Sequence, residues 1–366
     1  MLQKLLSAIL VCVSVAGCLS CGKTASHYVY AAIPNASQLA VFREDPYSGI
    51  LTQLQESPYT VGNGARSVVI HPSGKYLYVA NPGQGENDIS LFDINSDGTI
   101  TEVTPRTPTD SQPLMLVMDP AGNYLYCANA GANTVSVYSI YTGSATATQQ
   151  TGSLTLVKTS PVNGTSGQGI GLTPLSMAIS PSGDYLFVSG PQQPVGLIGV
   201  FRLTSGILTQ VSLTGTADSE PISLAVNPAG TFLYAANFTG NSISTYSISS
   251  GTLTQVQVLE DNQKNPAWLT LDPTGSYLYV ANQGSNNIGT YTITSGTGVP
   301  VPVTDSPFAS EAQPSFVAAD PNGKYLYIGN TGTSAGVQAF GASSGSLNSI
   351  ATYSVGNGAL SIAVLQ

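Results

Sequence analysis

Histidine and cysteine, the residue types that most often carry catalysis or bind metals, are scarce in this chain. Its 366 residues include only two histidines and four cysteines. His27 lies near the N-terminus and His71 occupies a Pro-Gly turn, so we expect both to be structural. Cys127 replaces the Val, Ala or Ile of related segments, which indicates a small buried apolar side chain. No disulfide framework or histidine-dependent triad is therefore expected, and the sequence predicts no metal and no cofactor.

Two short motifs match chemical signatures but lack the structural context that those signatures need. Gly332 to Gly336 reads G-x-S-x-G, the pattern of a nucleophilic serine, yet it joins two expected strands with no helix after it. Asp93 to Gly98 begins like a calcium loop, but Thr104 stands at the position where glutamate is needed. We interpret this second segment as a hairpin turn.

A repeated phrase defines the elements that must position any functional residue. "DPTGSYLYVAN" begins at Asp272, and a copy that lacks the Pro-Gly turn begins at Tyr28. Related copies begin at His71, Asp119, Ser180, Asn227 and Asp320. The part "YLYVA" is apolar on both faces, so each sheet needs neighbours on both sides. Seven units of four short strands predict an all-β fold, a seven-bladed β-propeller with four antiparallel strands per blade.

The two ends of the chain complement each other. The N-terminal copy lacks its first strand, and the C-terminal segment from Gly358 to Gln366 is a lone first strand. This segment aligns with Gly64 to Pro72 of another unit. We expect it to complete the first blade and close the ring without a free edge. The predicted propeller is a single domain over residues 27–366.

Antiparallel order would bring the loops between second and third strands and the loops between blades to one face, around the mouth of the channel. Acidic residues dominate this predicted loop face: Glu56, Glu86, Asp88, Asp110, Asp218, Glu220, Glu260, Asp261, Asp305 and Glu311. The basic residues there are Arg66, Arg106, Lys158 and Lys264. This balance disfavours a phosphorylated ligand and suits a cation, a neutral polar molecule or a basic protein. A merely solvated rim is the alternative.

Two residues on predicted inner strands could bind a ligand. Arg66 is the one charged residue among the seven starts of these strands; the others are Leu114, Leu175, Ile222, Ala267, Ser315 and Leu360. Trp268, the only tryptophan, lies near another start. Its large ring could pack between blades or serve as a stacking platform for a sugar or aromatic ligand. A net charge of −9 without a basic run argues against nucleic-acid binding.

The first residues are typical of an export signal. An apolar run from Leu5 to Val15 is too short to span a bilayer comfortably. It ends in Val15-Ala16-Gly17-Cys18, which resembles the bacterial lipobox. We predict a lipoprotein signal peptide at 1–17, lipidation of Cys18 and a short lipidated linker at 18–26. Acyl chains alone would then hold the protein to a bacterial membrane outside the cytoplasm; an ordinary cleaved signal is the alternative.

The repeated pattern resembles the seven-bladed lactonase family, which includes 6-phosphogluconolactonases and carboxymuconate-lactonising cycloisomerases and is close to the YVTN repeat proteins. The resemblance covers about Ser26 to Gln366. It implies an Arg and a His in a G-P-R-H pattern at the start of an inner strand, and a Glu after the next strand. Here Arg66 is kept, Ser67 replaces the His, and Pro82 stands in place of the Glu, with Glu86 the nearest acid.

Opening a lactone requires a base that activates water and a cation that holds the developing oxyanion. Arg66 could be the cation, whereas the base implied by the resemblance is absent. The favoured interpretation is an exported, lipid-anchored, monomeric propeller that binds an unidentified polar small molecule or protein at its acidic loop face. The alternative is a lactone hydrolase or cycloisomerase that uses Arg66 and a nearby carboxylate such as Glu86.

Overall fold

The structure, a computed structural model, describes residues 27–146, 149–157, 167–191, 195–215, 218–332 and 336–365. Residues 1–26, with the predicted signal peptide and Cys18, lie outside the described part of the chain, as does Lys158 of the predicted loop face. The described residues form strands, turns and loops, together with a short 3-10 helix at Pro34–Ala36.

The strands follow the repeat units along the chain. The first three units contain β1 (His27–Ile33), β2 (Gln38–Glu44), β3 (Leu51–Gln53), β4 (Tyr59–Thr60), β5 (Ser67–Ile70), β6 (Tyr76–Asn81), β7 (Asp88–Ile94), β8 (Ile100–Pro108), β9 (Pro113–Met118), β10 (Tyr124–Asn129), β11 (Thr134–Ile140), β12 (Leu154–Leu156) and β13 (Gln168–Gly169). The next two contain β14 (Ser176–Ile179), β15 (Tyr185–Gly190), β16 (Leu197–Thr204), β17 (Ile207–Gly215), β18 (Pro221–Val226), β19 (Phe232–Asn237), β20 (Ser242–Ser249) and β21 (Thr252–Leu259). The last strands are β22 (Pro266–Leu271), β23 (Tyr277–Asn282), β24 (Asn287–Ile293), β25 (Pro300–Pro302), β26 (Phe308–Ala309), β27 (Pro314–Ala319), β28 (Tyr325–Asn330), β29 (Gly336–Ser343), β30 (Ser346–Ser354) and β31 (Ser361–Leu365).

These strands form seven separate antiparallel sheets, and each sheet is one blade. Blade 1 has the order β31-β1-β2-β3, and blade 2 has β5-β6-β7-β8; blades 3 to 7 begin at β9, β14, β18, β22 and β27. In blades 1, 3 and 6 the outermost strand is interrupted, so that two short strands pair with one neighbour, as β25 and β26 do with β24. The predicted all-β, seven-bladed propeller with four strand positions per blade is confirmed.

The first strand of each blade lies innermost. These strands contact one another in the closed order β31, β5, β9, β14, β18, β22, β27 and back to β31. The last strand, β31, pairs with β1 from Tyr28 opposite Leu365 to Ala32 opposite Ser361. The C-terminal strand therefore completes blade 1, as the sequence predicts, and β1 has no free edge.

The core is divided among the spaces between blades. Seven clusters of buried apolar side chains each combine residues from two neighbouring blades. Between blades 1 and 2, for example, Val41 of β2 packs in the same cluster as Leu77 and Val79 of β6. The second strand of each blade is buried on both faces, which explains why "YLYVA" does not alternate with polar residues.

A joint between an aromatic ring and a glycine recurs at every blade boundary. The first aromatic residue of the repeated phrase lies against a glycine in the turn between the third and fourth strands of the next blade. A Cβ atom on that glycine would overlap the ring in all seven pairs: Tyr28 with Gly98, Tyr76 with Gly152, Tyr124 with Gly206, Tyr185 with Gly251, Phe232 with Gly298, Tyr277 with Gly345 and Tyr325 with Gly49. Each of these glycines also has a positive φ, so backbone conformation and close approach both require glycine.

Tyrosine hydroxyls strengthen some of these joints. Tyr30 donates a hydrogen bond to the carbonyl oxygen of Gly98 at 3.0 Å, and Tyr78 donates to that of Gly152 at 2.7 Å. Tyr234 makes the same bond to Gly298 at 2.9 Å. The phrase therefore supplies both a ring that packs on the next blade and a hydroxyl that binds its turn.

The Pro-Gly turns lie on the opposite end of the blades from the predicted loop face. Asp272 accepts a hydrogen bond from the backbone N–H of Tyr277 at 2.7 Å and so closes its turn. His71 replaces this aspartate in blade 2. Its Nδ1 accepts from the N–H of Ser73 at 3.0 Å, and its Nε2 donates to the carbonyl oxygen of Gly122 at 3.0 Å. Both ring nitrogens of His71 are thus occupied by structural bonds.

A buried carboxylate lies at the boundary between blades 7 and 1. Glu44, at the end of β2, is 3 % exposed, and its Oε1 lies 3.6 Å from Nδ1 of His27. Burial raises the pKa of Glu44; the nearby Asp320 raises it further, while the Tyr327 hydroxyl and His27 lower it. The native fold therefore favours the protonated form of Glu44 more than the unfolded chain does.

Replacing one joint glycine should destabilise the ring more than replacing a glycine of the same conformation in open space. Gly98 and Gly85 have φ values of 82° and 83°, but a Cβ on Gly85 would meet nothing within 4 Å. We expect Gly85→Ala to cost about 1–2 kcal/mol of unfolding free energy from strain alone. Gly98→Ala should cost about 1–3 kcal/mol more, because the methyl group displaces Tyr28. Chemical denaturation of both variants measures the difference, and equal losses would contradict the joint.

The stability of the protein should depend on pH through Glu44. Because folding raises its pKa, the stability linked to Glu44 is complete below the unfolded pKa and is lost as pH rises through the folded pKa. Glu44→Gln removes this loss, so we expect the thermal midpoint of the variant to rise relative to that of the wild type as the pH increases above about 4.3, the ordinary pKa of a glutamate. Glu260→Gln, at an exposed position, removes the same charge and serves as the control. Parallel wild-type and Glu44→Gln profiles would contradict this assignment.

Candidate functional site

The starts of the seven inner strands meet around one cavity at the mouth of the channel. The cavity has a volume of about 350 Å³. All seven positions singled out by the repeat line it: Arg66, Leu114, Leu175, Ile222, Ala267, Ser315 and Leu360. The remaining lining residues are Ser67, Met115, Glu220, Phe238, Trp268, Gln283, Phe316 and Ser361. The closed ring thus gathers residues from every blade into one site.

The turns that lead into the inner strands are rigidly held. In blade 6, Asn265 has a φ of 49° and precedes Pro266, the first residue of β22. Its N–H donates to Oδ1 of Asn241 in the preceding blade at 2.9 Å, and its carbonyl accepts from the N–H of Gln283 at 2.9 Å. The same positive φ before a proline occurs at Gln112, Glu220 and Gln313. Such turns fix the backbone of the rim while the side chain can vary.

Arg66 supplies the cation of the cavity. Its side chain is exposed to the water of the cavity, yet the surrounding walls desolvate the guanidinium and lower its pKa. Within the described ranges, no carboxylate oxygen lies within 4 Å of it. Since a guanidinium stays charged at any physiological pH, Arg66 offers a full positive charge with free donors to an anionic group.

Glu220 supplies a carboxylate to the same cavity. It precedes the inner strand of blade 5, whereas Arg66 precedes that of blade 2, so the two lie three blades apart around the ring. The hydroxyl of Thr239 donates a hydrogen bond to Oε2 of Glu220. The sequence places Glu220 on the predicted acidic loop face but does not single it out. Comparison of the residues that precede the proline of an inner strand would identify Glu220. It is the charged residue among the four at this position, Gln112, Glu220, Asn265 and Gln313.

Trp268 lines the cavity and also packs between blades. Its ring centroid lies 4.3 Å from that of Phe316 in blade 7, at an interplanar angle of 30°. It contacts the clusters between blades 6 and 7 and between blades 7 and 1. The indole is half-buried, so part of its surface remains available in the cavity, which Phe238 also lines. The structure therefore shows the packing of Trp268 between blades, and its role as a stacking platform for a ligand stays a prediction.

Comparison with known proteins gives the family. The profile described as "Lactonase, 7-bladed beta-propeller" matches residues 23–161 and 199–312. The chain belongs to this lactonase family. No curated protein matches its sequence.

Solved structures of the lactonase fold resemble this chain over almost its whole length. A Bacteroides uniformis protein provisionally assigned as a 6-phosphogluconolactonase has a TM-score of 0.77 at 19% identity, covering 93% of this chain and 100% of its own. A Bacteroides fragilis protein with the same provisional assignment has a TM-score of 0.75 at 19% identity, covering 94% and 99%. The periplasmic gluconolactonase PpgL of Pseudomonas aeruginosa has a TM-score of 0.74 at 18% identity, covering 93% and 99%. At these identities the likeness establishes the fold.

Ser67 departs from the pattern that the resemblance to lactonases implies. Ser67, in place of the expected His, is 7 % exposed, and its Oγ accepts a hydrogen bond from the N–H of Leu116 at 3.0 Å. Ser67 therefore joins the inner strands of blades 2 and 3. Equivalent serine bonds at Ser176, Ser223 and Ser361 join other inner strands.

Glu86, the carboxylate considered as a base, is not among the residues that line the cavity. Its Oε2 accepts from Nη1 of Arg106 at 3.1 Å and from the N–H of Asn63 at 2.6 Å. Arg106 in turn binds Glu102 at 2.7 Å. The structure thus ties Glu86 into a network of its own and does not bring it together with Arg66.

Many carboxylates of the acidic loop face hold the loops in place. Asp110 accepts from the hydroxyl of Thr134 at 2.7 Å and from the N–H of Gly167 at 2.8 Å. Thr134 also accepts from the buried Asn129, the last residue of its repeated phrase, at 3.2 Å. In blade 5, Asp218 and Asn237 bind Ser242 in the same way. The terminal asparagine of the phrase is therefore a buried link between strands and loops.

The remaining chemical candidates have structural roles or lie partly outside the described ranges. Of the segment from Asp93 to Gly98, the first two residues end β7 and the others lie in the turn 95–99 that leads to β8. The N–H of Thr99 donates to the Asp97 carboxylate, so this segment is a hairpin turn. Residues 333–335 of the G-x-S-x-G segment lie outside the described part of the chain. Burial raises the pKa of the Cys127 thiol to about 12.

Across the described ranges, no three His, Cys, Asp or Glu side chains are grouped as they would be to hold a metal ion. No helix among the described residues is long and apolar enough to cross a membrane.

Proposed function

We propose that this lactonase-family propeller is a binding protein that holds a small molecule in the cavity at the mouth of its channel. The observation that carries this proposal is the charge of the cavity. Arg66 is a positively charged site for an anion, and no carboxylate among the described residues forms an ion pair with it. Among the same residues, no histidine lines the cavity and no carboxylate lies within 4 Å of Arg66 to act as a base.

The rest of the cavity suits an organic ligand. Its volume of about 350 Å³ is within the range of small-molecule sites, which is roughly 300–1,000 Å³. Trp268 and Phe238 provide apolar faces, while Gln283 provides a neutral polar group. A carboxylate of the ligand would bind Arg66, and its apolar or ring portion would lie against the aromatic side chains.

A lactone hydrolase or cycloisomerase is the second candidate. Family membership and the names of similar proteins from Bacteroides and Pseudomonas favour it. In that mechanism Arg66 would stabilise the oxyanion, and a carboxylate would activate water. The engagement of Glu86 by Arg106, the loss of the histidine at Ser67 and the position of Glu220 across the ring all weigh against it.

The proposed setting is outside the cytoplasm, with the protein held to a bacterial membrane by acyl chains on Cys18. The lipobox-like sequence before Cys18 supports this proposal. The acidic composition supports a ligand or partner other than nucleic acid. The proposed working form is a monomer.

Substrate assays and binding assays separate the two functions. Since Trp268 is the only tryptophan, its fluorescence reports directly on the cavity. We expect at least one member of a panel of ring carboxylates (benzoate, quinate and glucuronate) to change this emission, and no lactone to be hydrolysed above background. Arg66→Ala should weaken binding roughly tenfold or more, because a hydrogen bond to a charged group contributes about 1.5–3 kcal/mol. Arg43→Ala, an exposed arginine on β2, is the control.

Lactone hydrolysis that persists in Arg43→Ala and disappears in Arg66→Ala would contradict the binding function and show that the protein is an enzyme. Absence of any change in Trp268 emission, both with these ring carboxylates and with carboxylates that also carry an ammonium group, and with hydrolysis also absent, would contradict a ligand site in this cavity.

The membrane anchor is tested by expression of the full chain in bacteria. We expect the wild type to sediment with membranes and its mature N-terminal peptide to carry acyl chains on Cys18, as measured by mass spectrometry. Cys18→Ser should move the protein to the soluble fraction, whereas Cys21→Ser should not. An unmodified Cys18 in the wild type would contradict the anchor.

A further inference from the structure

The wall of the cavity is chemically divided. Arg66 and two serines lie on the side of blades 1 and 2. Glu220, Phe238, Trp268 and Phe316 lie on the side of blades 5 to 7. The cavity therefore has a cationic side and an opposite side that combines a carboxylate with aromatic rings.

The Glu220 carboxylate is held by one hydrogen bond and lacks a counter-charge among the described residues. Its backbone has a φ of 58°, and the next residue, Pro221, begins β18. Its side chain accepts a hydrogen bond from the neutral hydroxyl of Thr239. No lysine, arginine or histidine in the described ranges lies within 4 Å of it. Since a carboxylate in the wall of a cavity attracts positive charge, this side favours a cationic group.

The aromatic side chains support the same preference. Trp268 is held by its contact with Phe316, so its orientation does not depend on a ligand. The remaining surface of the indole lies in the cavity together with part of Phe238. The faces of indole and phenyl rings carry negative potential and bind ammonium groups, most strongly where water is excluded.

We propose that the ligand is a zwitterion, a small organic ammonium compound that also carries a carboxylate. This inference rests on the proposed binding function. The ligand's carboxylate binds the Arg66 guanidinium, and its ammonium group lies over the Trp268 and Phe238 rings beside Glu220. A simple anion would leave Glu220 without a counter-charge, and a simple cation would leave Arg66 without one. A lactone or a sugar phosphate offers no positive group to the aromatic side.

The test uses three probes of closely similar shape. The zwitterion is gamma-trimethylammoniobutyrate. Its neutral-headed analogue has a tert-butyl group in place of the trimethylammonium group and keeps the carboxylate. Trimethylpropylammonium keeps the cation and lacks the carboxylate. Isothermal titration calorimetry of the full-length protein measures all three affinities. We expect the zwitterion to bind at least tenfold more tightly than either of the other probes.

Two substitutions test which residue of the cavity binds each charged group of the ligand. Glu220→Gln should weaken binding of the zwitterion about tenfold and change binding of the tert-butyl analogue less than twofold. This variant should fold, because Gln112 and Gln313 occupy the equivalent turn in blades 3 and 7 with φ values of 54° and 57°. Arg66→Gln should weaken binding of the zwitterion and of the tert-butyl analogue, but not of trimethylpropylammonium.

Each other outcome contradicts the inference in a recognisable way. If the tert-butyl analogue binds as tightly as the zwitterion, the ligand needs no positive charge, and the binding function stands with another ligand class. If the three probes fail to bind while a ring carboxylate does, the zwitterion class is wrong and the binding function again stands. If Glu220→Gln weakens both carboxylate probes equally, the role of Glu220 is structural.

Discussion

The close approach of an aromatic ring to a glycine at each blade boundary is the contact on which the rest of the ring depends. A propeller has no central hydrophobic core, because its axis is a channel; its apolar side chains are buried only where two sheets face each other. Every blade must therefore hold its neighbour at one distance and one angle. The turn glycine, with no Cβ, lets the ring of Tyr28 or its equivalents reach the backbone of the next blade. Seven joints of the same kind then set the spacing of neighbouring blades, and so the distance of the inner strands from the axis and the width of the cavity.

Hydrogen bonds between polar groups buried inside the blades stabilise the inner strands and the loops at the rim of the cavity. Asn129 and Asn237 are fully buried at the ends of the second strands of blades 3 and 5, and they connect to hydroxyl groups that in turn bind loop carboxylates. Serines such as Ser67 join successive inner strands through backbone N–H groups. Because unpaired polar groups in the interior are costly, these bonds favour one register of strands and one conformation of the rim. The excess of acidic residues on the loop face thus serves the architecture of the loops as well as the field around the cavity.

The fold could be predicted because the sequence repeats it seven times, and the positions of Arg66 and Trp268 followed from comparing the copies. The joints could not be predicted in the same way. Tyr30 and Gly98 belong to different blades and are 68 residues apart, so their contact exists only once the ring has closed. Glu220 was overlooked for the same reason, since only closure brings a residue three blades from Arg66 to the same cavity. Glu86 shows the converse: nearness to Arg66 in sequence does not by itself bring two side chains to one cavity, because Glu86 forms an ion pair with Arg106.

The pairing of β1 with β31 also orients the molecule. Tyr28 lies opposite Leu365 at one end of this pair, while Ser361, at the other end, lines the cavity. The chain thus begins its first strand on the face that carries the Pro-Gly turns. An acyl anchor at Cys18, nine residues before His27, would tether the ring by this face and point the mouth of the channel away from the bilayer. Solutes would then reach Arg66 and Trp268 from the aqueous side without passing between the protein and the lipid.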